Sequence, residues 1–154
     1  MDPALGPGDH LLTEQPNERA SGLDALTTQE AFDVLNAEDT SVAPAVRAAS
    51  DEISRAADLI AGRLASGGRL FYVGAGTSGR LAVLDAAECP PTFSSDPDQI
   101  QAIIAGGPAA LTAAIEGAED DAKAAGSELD ARGLNEADVV FGITAGGTTP
   151  FVHG

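Results

Sequence analysis

A chain of 154 residues, 44% hydrophobic and 4% aromatic, can bury one core of ordinary domain size, and that core must be aliphatic. Its 24 acidic residues against 8 basic ones give a net charge of −16, which repels nucleic-acid backbones and anionic membrane surfaces. Cys89 is the only cysteine, so no intrachain disulfide forms, and no apolar run reaches membrane-spanning length.

In chain order, residues 1–17 carry Pro3, Pro7 and Pro16 and little apolar content, and read as a mobile arm. Met1 to Gln15 has neither a basic n-region nor an apolar h-region, so the expected location is the cytoplasm. Thr27 and Glu30 fit a capping box that opens a short helix to about Asn36. Glu38 to Ser41 reads as a turn. Val42, Val46, Ala49, Ile53, Ala57, Ile60 and Leu64 then recur at steps of three and four, which predicts one amphipathic helix closed by Gly67-Gly68.

Arg69 to Val73 is a buried strand running into Gly74-Ala75-Gly76-Thr77-Ser78-Gly79. A helix is expected from near Ser78, stopped by Pro90-Pro91. Gln101 to Ala105 is a second strand, followed by a helix from Pro108 that bends near Gly117 and resumes to about Arg132. Asp138 to Ile143 is a third strand, and Thr144 to Pro150 a Gly/Thr-rich loop. Alternating strands and helices specify an α/β fold with an open parallel sheet and flanking helices. The sequence stops where a further helix is expected, so the sheet reads as truncated after its third strand.

Ligands of open α/β sheets bind at the carboxyl ends of the strands. With so acidic a chain, an anionic ligand must be held locally, by backbone N–H groups or a particular arginine. In the first loop, Gly76 and Gly79 allow close backbone approach, Thr77 and Ser78 add hydroxyls, and the following helix directs free N–H groups at the same point. The spacing of Gly74, Gly76 and Gly79 also matches the dinucleotide fingerprint. The acid normally found after the second strand is missing, because Ala105-Gly106-Gly107 stands there. The loop chemistry leaves three readings, in the order phosphosugar site, plain tight turn, dinucleotide site. The second loop, with Thr148 and Thr149, is weaker evidence, drawn from its place at the same sheet edge.

Glu88 is an acid in apolar surroundings at a helix end braced by two prolines; on its own it reads as a surface carboxylate. Glu116, Glu119, Asp120 and Asp121 read first as a solvated acidic helix face. His10 and His153 lack metal-like neighbours, and one cysteine builds no zinc site, so no metal is expected.

Several stretches together resemble the N-acetylmuramic acid 6-phosphate etherase family. They are Thr13-Glu14-Gln15, Leu26 to Glu30, Leu35 to Asp39, Gly68 to Leu81, Leu84-Asp85-Ala86-Ala87-Glu88-Cys89-Pro90-Pro91-Thr92, Ile104 to Gly107 and Glu116 to Asp120. The resemblance implies a sugar-isomerase (SIS) fold, with residues 18–66 as helices packed on the domain and 67–154 as part of it. It implies a cytoplasmic homodimer, without cofactor or metal, that cleaves the D-lactyl ether of a phosphorylated amino sugar in peptidoglycan recycling. The family's two active-site glutamates fall on Glu88 and Glu119, with Glu88 as proton donor to the departing lactate.

Glu88 lies about 15 Å along the helix axis from Ser78, which predicts a site shared across the dimer. The family's second loop usually reads Ala-Ser-Gly-Arg-Thr-Pro; here Ala145 to Pro150 lacks the serine and the arginine. That departure keeps an alternative open: a SIS-fold phosphosugar isomerase or a phosphosugar-binding regulator without etherase chemistry.

Overall fold

The computed structural model describes residues 11–154. The arm expected at 1–17 lies outside these residues as far as residue 10, and Leu12–Glu14 forms a single 3-10 turn. The described chain divides into two compact units, one ending at Asp58 and one running from Leu59 to Gly154.

The first unit is helical. Short 3-10 turns at Glu18–Ala20 and Leu23–Ala25 lead to α1 (Thr28–Asp39), α2 (Val42–Ala48) and the first part of α3 (Ser50–Ala65). The capping box is present: Thr27 Oγ1 accepts from Glu30 N at 3.3 Å, and Glu30 accepts from Thr27 N at 2.8 Å. The Thr27 hydroxyl, which donates to the Glu30 carboxylate at 2.6 Å, and then the Thr27 backbone N–H hold that carboxyl below the usual range. The single helix expected over 42–64 is instead two. Ala49 N–H bonds the Val46 carbonyl in a tightened turn, and a new helix starts at Ser50. Apolar periodicity reports which face is apolar, not whether each i→i−4 bond is made. Phe32, Leu35, Val42, Val46 and Ile53 on these helices are exposed.

The second unit is a parallel α/β sheet, as the alternation of elements predicts. Its strands are β1 (Leu70–Gly74), β2 (Ile100–Ile104) and β3 (Val139–Ile143), in the order β2-β1-β3. Both pairings with β1 are parallel, with Gly74 level with Ile104 and Ile143. Helix α4 (Gly76–Phe93) packs on β1 and β2. Side chains alternate along a strand, so Phe71, Val73 and Ile103 share one face. They form the core with Ala105, Ala125 and Leu129 of α5 (Ala124–Ala131), and Phe151 of α6 (Pro150–His153). Among these, Phe71 and Phe151 are the largest fully buried side chains.

Two helix expectations are corrected. Helix α4 begins at Gly76 rather than near Ser78, and it passes through Pro90 and Pro91 to Phe93. Proline's fixed φ is helical, and what is lost is the N–H bond each ring nitrogen would donate. Both prolines sit in the last turn, where the carbonyls of Ala86 and Ala87 lose their i→i−4 donors, and Ser94, at φ 56°, ends the helix with its N–H on the Pro90 carbonyl at 2.9 Å. The helix expected from Pro108 to Arg132 is a 3-10 turn at Gly107–Leu111, an irregular loop, a second turn at Ala118–Asp120, and only then α5. Gly106, Gly107 and Gly117 all take positive φ, which interrupts an alanine-rich stretch of good helix propensity.

The starts of β1 and β3 are tied by one ion pair. The Asp138 carboxylate, 1% exposed, accepts from Arg69 Nη2 at 2.7 Å and from the Arg69 backbone N–H at 2.8 Å. It also accepts from Asn135 N and Nδ2. Arg69 reaches on to the carbonyls of Arg132 and Gly133, at 3.0 and 2.7 Å. The guanidinium holds the Asp138 carboxyl below the usual carboxylate range. Replacing Asp138 with Ala leaves Arg69 without its partner and is expected to destabilise the full-length polypeptide by about 2–3 kcal/mol in urea unfolding at pH 7. A carboxyl with a lowered folded pKa stabilises above its unfolded value, and loses that contribution as pH falls through the folded one. The difference between wild type and Asp138→Ala should therefore shrink in strongly acidic buffer.

Candidate active site

Because Gly74, Ile104 and Ile143 are level in the sheet, the loops leaving all three strands emerge at one edge. The turn from β1 into α4 is built on two close approaches. A Cβ on Gly79 would stand 2.6 Å from Ile104 Cγ1 and 2.7 Å from the Gly74 carbonyl oxygen. A Cβ on Gly74 would stand 2.7 Å from Gly79 N. These two glycines let the strand and helix backbones touch. Gly76 is different: it is exposed, has φ +53°, and a Cβ there would meet nothing within 4 Å.

The first helical bond of the turn runs from Gly79 N to the Ala75 carbonyl at 3.2 Å. Gly79 is thus buried and its N–H engaged, so it packs the turn rather than offering a donor. The N–H groups of Gly76, Thr77 and Ser78 precede that bond, and Ala75 supplies no side-chain cap. They are donors at the positive end of an 18-residue helix, where anions are favoured.

Beside this turn the segment after β2 folds over to form a cleft of about 190 Å³. Gly76, Arg80, Ala105, Ile115, Glu116 and Glu119 are among its lining residues. Glu119 sits on the 3-10 turn at Ala118–Asp120, not on the acidic helix face first expected. Sequence reasoning passed over Arg80 as a site residue. Its Nε donates to the carbonyls of Ala110 at 2.9 Å and Leu111 at 3.3 Å, and its Nη2 donates to Ala113 at 3.1 Å. The available signal was its place directly after the glycine loop in a chain with few cations.

The second loop is closed on itself. Thr144 and Thr149 hydroxyls lie 3.1 Å apart, and Gly147 donates its N–H to Thr144 Oγ1. His153 Nε2 lies 2.6 Å from the Gly147 carbonyl. Thr148 is exposed, Thr149 occupies the N-cap position of α6 without a side-chain capping bond, and α6 packs against the turn that carries Glu119. Neither threonine lines the cleft.

Glu88 is exposed far along α4, in a different and mostly apolar groove of about 540 Å³ between that helix and β3. Tyr72, Leu81, Leu84, Asp85 and Phe141 line it with Glu88. Tyr72 Oη donates to Asp85 at 2.8 Å and its ring meets Phe141 edge-on. Burial, then the Asp85 carboxylate, push the Tyr72 hydroxyl well above its ordinary pKa. Burial likewise raises the Cys89 thiol, which makes it a poor nucleophile. The structure therefore brings Gly76 and Glu119 together at one cleft and leaves Glu88 in another. Among the described residues, no group of three or more His, Cys, Asp or Glu residues is arranged to hold a metal ion, and no helix is long and apolar enough to cross a membrane.

The family model for the glucokinase regulatory protein N-terminal SIS domain matches residues 51–154. The chain belongs to that SIS-domain family. An N-acetylmuramic acid 6-phosphate etherase of Gloeobacter violaceus is 58% identical over 154 residues, covering 100% of this chain and 50% of the relative. One from Synechococcus sp. (strain CC9902) is 53% identical over 157 residues, again covering 100% of the chain and 50% of the relative. One from Parasynechococcus marenigrum is 57% identical over 145 residues, with 94% and 46% covered. The chain spans about half the length of the curated relatives it matches. These likenesses agree with the resemblance read from the motif stretches, and the β2-β1-β3 sheet agrees with the SIS fold it implied.

Two glycine substitutions separate packing from strain in this SIS domain. Gly79→Ala is expected to lower stability by about 2–3 kcal/mol, because its Cβ meets backbone and a buried Ile104. Gly76→Ala should lower it by roughly 1 kcal/mol, from the left-handed φ alone. Urea unfolding of the full-length polypeptide measures both.

Proposed function

We propose that the full-length protein is a lyase that cleaves the D-lactyl ether of N-acetylmuramic acid 6-phosphate, giving N-acetylglucosamine 6-phosphate and D-lactate. The observation that carries this reading is a cleft lined both by Gly76, at the uncapped start of α4, and by Glu119, with Thr77 and Ser78 next to Gly76 outside its lining. Relatives named as etherases at 52–58% identity support it. In this reading residues 67–154 are part of the SIS domain, preceded by the helices of 18–66.

The amides of Gly76, Thr77 and Ser78, with the two hydroxyls, hold the 6-phosphate. Gly79 shapes that turn, and Thr148 and Thr149, on the loop after β3 at the same sheet edge, are proposed to reach the bound sugar. In the open-chain sugar the C2 proton is alpha to the C1 aldehyde and the ether oxygen on C3 is beta. Glu119 takes the C2 proton, the C2–C3 double bond forms, and the C3–O bond breaks. Glu88 protonates the leaving lactate oxygen. Water then adds its hydroxyl at C3 and a proton returns to C2. One base and one acid suffice, so the reading calls for neither metal nor organic cofactor. The position of Glu88 in a separate groove on its own chain supports a homodimer in which the partner subunit's Glu88 completes each cleft. The location is the cytoplasm, where recycled amino-sugar phosphates are processed.

A regulator that binds a phosphosugar without turnover is the second reading. The regulatory name of the matching family model and the missing serine and arginine in the second loop favour it.

The test is D-lactate release from N-acetylmuramic acid 6-phosphate by the full-length polypeptide. Glu88→Gln and Glu119→Gln should each lower kcat by about 100-fold or more. Mixing Glu88→Gln subunits with subunits carrying Thr77→Ala and Ser78→Ala should restore activity that neither has alone. No restoration overturns the shared site, and binding of the sugar without lactate release favours the regulator.

A further inference from the structure

We propose that Arg80 is a positioning residue that sets the loop carrying Glu119 for proton transfer. This inference rests on the reading of the cleft as an etherase site. The loop from Thr112 to Gly117 has no regular structure to hold it. Its own backbone bonds are long: Thr112 N to Ala109 O at 3.4 Å, Ala113 N to Ala109 O at 3.3 Å, and Ala118 N to Ile115 O at 3.3 Å. The remaining internal support is the Ile115 side chain, seated where a Cβ on Gly106 would stand 2.9 Å from Ile115 Cβ.

Against that weak frame, Arg80 makes three charge-assisted bonds to the carbonyls of Ala110, Leu111 and Ala113, the shortest 2.9 Å. Such bonds are roughly twice as strong as neutral ones. Arg80 belongs to the first turns of α4, one residue after Gly79, whose glycine contact with Gly74 and Ile104 admits no slack. The guanidinium thereby fastens the loop to the most rigid point of the site. Glu119 follows the clamped carbonyls by six residues, across the left-handed Gly117. Arg80 is also the basic side chain of a cleft that contains Glu116 and Glu119. Its Nε and Nη2 donate to carbonyl oxygens of the loop rather than to either glutamate. A lysine is long enough to reach the loop, but a point charge cannot span three carbonyls as the planar fork does.

The experiment uses the full-length polypeptide with Arg80→Lys and Arg80→Ala. Hydrogen exchange of the amides between 110 and 119 should quicken at least tenfold in both variants, with the amides of β1 and α5 unchanged. With N-acetylmuramic acid 6-phosphate, kcat should fall on the order of 10-fold to 100-fold while KM stays within about twofold, as for a misplaced catalytic group. Millimolar guanidinium ion should restore part of the Arg80→Ala rate. Unchanged exchange in the 110–119 loop overturns the clamp. A raised KM at unchanged kcat overturns positioning in favour of direct sugar binding by Arg80. If wild type releases no lactate, the etherase reading fails by itself, and with it the proton-transfer role.

Discussion

The second unit depends on the contact between the end of β1 and the start of α4. Gly74 and Gly79 place strand and helix backbones so close that no Cβ fits at either position, and Ile104 of β2 closes the same point from the side. A parallel strand normally hands the chain to a helix through a loop with some freedom. Here the helix begins two residues after the strand, with its first amides uncapped at the sheet edge. The rigidity of the contact and the openness of those amides have one origin. The glycines remove the side chains that would otherwise separate the two elements, and the helix end is left facing the cleft.

Electrostatics make that cleft demanding. The chain is strongly acidic, and two glutamates border the proposed phosphate site. Uncapped amides supply positive potential without a mobile cation, and the fixed direction of the helix keeps that potential in place. Arg80 adds the one basic side chain among the cleft residues, but its hydrogen bonds run to the loop rather than outward. Positive charge here shapes backbone first. That division of labour suits a site whose proposed substrate brings its own phosphate, and whose carboxylates must remain available for proton transfer.

The distance between the two glutamates has a simple geometric cause. Helix α4 runs away from the sheet edge, so a residue near its far end cannot return to its beginning. Glu88 instead shares an apolar groove with Leu81, Leu84 and Phe141, all exposed. An acid and several exposed apolar side chains in one groove fit a surface completed by another part of the assembly, which is the role proposed for it.

Much of this could be read without coordinates, because it depends on local chemistry. The capping box at Thr27 and Glu30, the three apolar strands, their parallel sense and the glycine turn all follow from residue type and spacing. The family resemblance rested on contiguous stretches for the same reason. What sequence missed was decided by contacts distant along the chain. Alanine-rich residues 109–123 have helix propensity, yet Arg80, some thirty positions earlier, and the left-handed glycines hold them as a loop. Pro90 and Pro91 read as a stop, yet the helix runs through both to Phe93 before Ser94 ends it. Gly79 reads as a binding residue, yet its use is in packing, which shows only when Ile104 and Gly74 are seen beside it. By itself the sequence determined the elements, their α/β class and the residues able to do chemistry, since those depend on neighbours within a turn or two. Only the tertiary structure decided which of those residues share a cleft, because that depends on how parallel strands bring separate loops to one edge.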